Sequence, residues 1–218
     1  RHRAGTGGPM HELAVHVLAG LFLVAVLAGF IDAIAGGGGM VTIPAMLLAG
    51  VPPLQVLGTN KLQAVFGSGS ASWSYARHGH VDLRAQWPMV ATAALGAAAG
   101  ALLATIVPTG WLRALLPFLL LGIALFFWLR PGIGELERQR RISPTAFGLS
   151  FVPAIGLYDG VFGPGTGSFL MLGFVSLAGF GILKATAHSK VLNFGSNAGA
   201  LAVFVAAGAV LWQLGLVM

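Results

Sequence analysis

Long stretches of this chain carry no Asp, Glu, Lys or Arg, among them residues 13–31, 33–60, 85–112, 142–158, 160–183 and 191–218. Several exceed the roughly 20 apolar residues that a helix needs to cross a bilayer. In lipid only helices and closed barrels satisfy their own backbone hydrogen bonds. A water-soluble domain carries roughly 25% charged residues; here 8% of 218 residues are charged and 56% are apolar. The fold class that follows is an all-α polytopic membrane protein with the lipid bilayer as solvent. Cysteine is absent, which excludes disulfides, thiolate chemistry and cysteine-ligated zinc.

One segment occurs twice within this apolar sequence. Residues 29–81 contain GFIDAIAGGGG and then GTNKLQAVFGSGSA, while residues 156–210 contain GLYDGVFGPGTG and then ATAHSKVLNFGSNAGA. Asp32 matches Asp159 and Gly36 matches Gly163 at an offset of 127; Lys61 matches Lys190 and Gly79 matches Gly208 at 129. Paired glycine interruptions in hydrophobic segments point to a transporter's binding site. The expectation is two homologous repeats with glycine-broken half-helices: a tail at 1–10, a first transmembrane repeat at 11–129, a cytoplasmic basic loop at 130–144 and a truncated second repeat at 145–218.

Helices are expected near 11–33, 59–77, 86–107, 111–129, 145–160 and 186–207. The segments Met40–Ala49 and Ser168–Ala178 are only about ten residues long, too short at 1.5 Å per residue to cross roughly 30 Å of hydrocarbon. They read as half-helices or re-entrant segments, whose unpaired backbone must be buried in protein or line a polar cavity. The net charge of +6 is scattered and forms no nucleic-acid stripe. Arg77 and Arg84 flank one turn, and Arg130, Arg138, Arg140 and Arg141 crowd another; two apolar segments lie between, so both loops face the cytoplasm by the positive-inside rule. Trp111 is then an external interfacial anchor. The small-x-small pattern Ala33-Ile34-Ala35 resembles a signal-peptide cleavage site, but cleavage would remove Asp32, whose counterpart lies mid-chain.

The glycine cluster Gly36, Gly37, Gly38 and Gly39 is no phosphate loop, since no lysine follows it, and no dinucleotide fingerprint, since no strand precedes it. Four glycines in a row lose more helical stability than close packing requires, so a functional helix break is the better reading, shared by Gly163, Gly165, Thr166 and Gly167. Gly96 and Gly100 read instead as helix-packing residues. A lysine mid-span costs roughly 2.5–3.5 kcal/mol on insertion scales, yet both repeats keep one. Lys190, Asn193 and Asn197 share one helix face, and Lys61 shares its face with Ala64 and Ser68. With Asn60, Ser189 and the half-helix N-termini, these faces would hold a small oxyanion. Asp32 and Asp159 could carry protons or sodium, pair with the lysines, or cap helix ends. His188 could relay protons or sit as a buried, hydrogen-bonded ring. No cofactor or metal is expected.

The block GFIDAIAGGGGMVTIPAMLLAGVPPLQVLGTNKLQAVFGSGSASWSYARHGHVDL, with the later HSKVLNFGSNAGAL, resembles the sulfite exporter TauE/SafE family of membrane permeases. The resemblance is close over residues 29–83 and 156–212. It implies a multi-pass plasma-membrane protein of about eight spans that moves sulfite, thiosulfate, sulfoacetate or related organosulfur anions. It also implies a transport role for the glycine blocks, for Thr59, Asn60 and Lys61, and for His188, Ser189 and Lys190. After the second copy only residues 213–218 remain, two helices fewer than follow the first, so either a fragment or completion by homo-oligomerisation is expected. The rivals are a membrane scaffold without transport, which needs no polar residues on the lysine faces, and an intramembrane aspartyl enzyme, whose glycine-x-glycine-aspartate sequence is missing.

Overall fold

The computed structural model describes residues 15–129 and 139–218, and among these there is helix and no strand. The expected tail at 1–10 and the loop residues 130–138, with Arg130 and Arg138, lie outside the described residues. The helices are α1 (Val15–Ala35), α2 (Gly39–Leu48), α3 (Pro53–Arg77), α4 (Leu83–Ile106), α5 (Thr109–Leu129), α6 (Pro144–Ala146), α7 (Val152–Val161), α8 (Thr166–Ser176), α9 (Ile182–Ala206) and α10 (Trp212–Val217). A π-helical turn, Phe147–Phe151, joins α6 to α7 without a break. α1, α4 and α5 are long and apolar enough to cross a membrane. α3 and α9 have 25 residues each, about 37 Å at 1.5 Å per residue, and their interior faces are polar.

Two helix starts lie well ahead of expectation. Helix α3 begins at Pro53, ahead of the expected 59, because Pro at the first helical position needs no amide partner. Gly58 lies inside α3, where a Cβ would run into the Ala209 carbonyl; the glycine admits a neighbour and does not end the helix. Likewise α9 begins at Ile182, directly after Gly181. The half-helices fall close to expectation, with 10 residues in α2 and 11 in α8.

The succession of helix, glycine break, short helix and 25-residue helix occurs twice, in opposite directions. Gly58 meets Ala209 and Phe204 at one end of the molecule, Gly69 meets Phe194 midway, and Gly79 and His80 border the same hollow as Gly181–Lys184 at the other end. α3 and α9 are therefore antiparallel. α2 and α8 leave the centre toward opposite ends, so their N-termini meet there. Gly96 and Gly100 pack as expected: a Cβ on Gly100 would lie 2.9 Å from the Leu157 carbonyl carbon, and a Cβ on Gly156 of α7 would lie 3.2 Å from the Ala97 amide nitrogen of α4. Small residues thus bring α4 and α7 into backbone contact. Outward-facing positions such as Phe30, Phe66, Leu95, Phe118 and Trp128 are exposed and apolar, the surface a bilayer requires.

Candidate functional site

The two glycine breaks cross one another. A Cβ on Gly36 would lie 2.6 Å from the carbonyl carbon of Gly167, and one on Gly167 would lie 2.8 Å from Cα of Gly36. Gly36 and Gly163 also take φ of +78° and +92°, a left-handed conformation that side chains strain. Gly39 abuts Asn60 and Pro164, and a Cβ on Gly163 would stand 3.1 Å from the Lys61 ammonium. The breaks thus bring backbone, both lysines and both aspartates to the centre of the bundle.

Lys61 and Lys190 are the ninth residues of α3 and α9, and each is 1% exposed. Neither reaches the surface. Each is paired with the aspartate of the opposite half: Lys61 Nζ lies 2.7 Å from Asp159 Oδ1, and Lys190 Nζ lies 3.2 Å from Asp32 Oδ2 and also donates to the Asp32 backbone carbonyl. Each aspartate at the same time meets the start of its own half-helix. Gly38 N–H donates to Asp32 Oδ1 at 3.2 Å beside α2, and Thr166 Oγ1 donates to Asp159 Oδ1 at 2.6 Å in the first turn of α8. Of the three roles open to the aspartates, both fill that of lysine partner, and Asp32 also accepts a backbone amide at the start of α2. The sequence places an oxyanion beside each lysine as an expectation; in the structure a carboxylate of the protein occupies that position.

The remaining polar residues divide around this layer. Lys61 donates to Asn197 Oδ1 at 3.2 Å, and Asn197 donates in turn to Asn193 Oδ1 at 3.2 Å. The asparagines sharing Lys190's helix face therefore serve the other lysine, because α3 and α9 lie side by side. Asn60 accepts from Thr42 at 2.7 Å, and buried Ser68 donates to its own helix at the Ala64 carbonyl. Ser189 likewise bonds the Thr186 carbonyl, and His188 meets Gln86 at 2.6 Å among Phe174 and Phe180. These two are not joined to the charged layer. Thr42 and Gln86 went unnoticed in the sequence; Thr42 had a signal, lying four residues from Gly38, one turn into the half-helix. Gly37 stands beside Met40, and Gly165 takes φ of +75° as the cap of α8.

The pairs differ in enclosure. Asp159 is 1% exposed, whereas Asp32 is 17% exposed and borders a cavity of about 40 Å³ with Ala28, Gly38, Gly39, Asn60 and Gly67. That volume holds about one water. Among the described residues no cluster of His, Cys, Asp or Glu could hold a metal ion.

Apolar spanning helices around two broken helices, with buried charge where the breaks meet, define a multi-pass membrane transporter. The chain belongs to the sulfite exporter TauE/SafE family, which it matches over residues 21–218. It is 66% identical to the probable membrane transporter protein ORF9 of Sinorhizobium over 96% of this chain and 80% of that protein. It is 47% identical to a probable membrane transporter protein of Haemophilus influenzae, over 95% and 81%, and 50% identical to the probable membrane transporter protein YfcA of Escherichia coli, over 91% and 74%. These names are those of transporters and not of enzymes. No solved structure matches the chain.

Proposed function

We propose that this chain is a secondary permease of the bacterial plasma membrane for a small anion, sulfite or a related sulfur oxyanion or organosulfonate. The observation that carries the reading is the crossed pairing of two buried lysines with aspartates at two half-helix N-termini. Each such place combines an ammonium with helix-end donors, the chemistry that holds an oxyanion. A substrate anion takes the place of an aspartate carboxylate there, contacting Lys61 or Lys190 together with backbone at Gly36–Gly39 or Gly163–Gly167. Asn60, Asn193 and Asn197 supply neighbouring hydrogen bonds. The antiparallel halves suit alternating access about a central site, and the family's name supports sulfur chemistry. A scaffold without transport would have no use for three buried charges and a half-buried fourth.

Flux of radiolabelled sulfite into proteoliposomes, compared with sulfate and taurine, tests the proposal. Sulfite or an organosulfonate should be carried at a rate well above protein-free liposomes. Equal leakage with and without protein for every anion would overturn it.

A further inference from the structure

Among the described residues, Asp159 is the buried ionisable group whose bonding is least complete. Its Oδ1 takes both donors, Lys61 and Thr166, while Oδ2 is buried without a hydrogen-bond partner. Asp32 differs on both counts, since one of its oxygens takes Gly38 N–H, the other takes Lys190, and the side chain borders the small cavity. An anion drawing Lys61 away would leave Asp159 as an uncompensated carboxylate in a sealed, low-dielectric place, which is strongly unfavourable. Released Asp32 would still meet water.

We infer that Asp159 takes up one proton at Oδ2 when an anion loads at Lys61, so that proton and anion occupy the site together. This rests on the anion-permease reading. The balance is simple: the lysine ammonium exchanges its carboxylate contact for one to the incoming monoanion, a proton from water bonds to Oδ2, and the net charge of the site is unchanged. Among the described residues of the helices packed against α7, the other titratable groups are cations or are bonded elsewhere. α8 contributes no titratable side chain, and α4 contributes only Arg84 in its first turn. α9 contributes Lys184, which lies over Phe180, His188, which is bonded to Gln86, and Lys190, which is held by Asp32. On α7 itself, the Tyr158 hydroxyl donates to the Pro164 carbonyl.

The test adds methanesulfonate, a monoanion that does not titrate between about pH 5 and about pH 8, to the purified full chain in weak buffer with a pH indicator. About one proton should be taken up per anion bound, and affinity should rise as pH falls, by up to about tenfold per unit. Asp159→Asn should bind with no proton uptake and no pH dependence. Thr166→Val keeps the ion pair and removes a donor to the carboxylate, so it should keep the proton uptake and hold the anion to higher pH; with the wild-type proton count it decides the matter should Asp159→Asn not fold. Binding without proton uptake, or wild-type uptake in Asp159→Asn, would overturn the inference alone. If neither methanesulfonate nor sulfite binds at any pH, the permease reading falls and takes the inference with it.

Discussion

At the scale of single residues, Lys61 has its role through Asp159 and Lys190 through Asp32, because a buried charge in lipid is stable only when matched. Removing one member of such a pair leaves the other uncompensated, a loss of about 3–5 kcal/mol. Lys61→Met should therefore lower the folded yield, and Lys61→Met combined with Asp159→Asn should restore it, as read by size-exclusion chromatography in detergent. Equal yields for single and double variants would mean that the pair is not what holds Lys61 in place. The lysines and aspartates were legible in the sequence because charge is rare there and because they recur. Their crossed partnership was not, since helical periodicity assigns a residue to a face and leaves open which helix lies against it. Asn197 illustrates the gap: its face was read correctly, yet it serves a lysine 136 positions away.

At the scale of elements, the glycine breaks are held open by what touches them. Gly36→Ala places a methyl group against the Gly167 backbone and a side chain at φ of +78°, which should cost about 1–3 kcal/mol from strain alone. Gly20, with nothing within 4 Å of its Cβ position, supplies the control; Gly20→Ala should leave the melting temperature unchanged or slightly raised. A melting temperature for Gly36→Ala equal to that of Gly20→Ala would contradict the crossing of the two breaks. Half-helices α2 and α8 were readable from length alone, since ten apolar residues cannot span a bilayer. The start of α3 was not, because Gly58 looks like a boundary until the Ala209 carbonyl is seen against it. Helix α10 was missed because six residues are too few to show a period.

For the whole molecule, charge separates the two ends. Exposed Arg77, Arg84, Arg140, Arg141 and Lys184 gather where α3 ends and α9 begins, Arg141 through its backbone bond to Leu177, and Arg113 lies beyond Trp111 at the opposite end. We propose, on the positive-inside rule, that the first end faces the cytoplasm. With no native cysteine in the chain, His78→Cys should react with a membrane-impermeant maleimide only from the cytoplasmic side, and Gly110→Cys only from outside; the reverse pattern would invert the topology. Because α3 and α9 run in opposite directions, a half-helix approaches the paired charges from either side of the membrane. On the permease reading, whether such a path fills or empties a cell follows from the gradients across it. In vesicles holding the protein in one orientation, reversing the anion gradient should reverse net flux at similar speed, and strict one-way movement would show that the unequal enclosure of Asp32 and Asp159 acts as a rectifier.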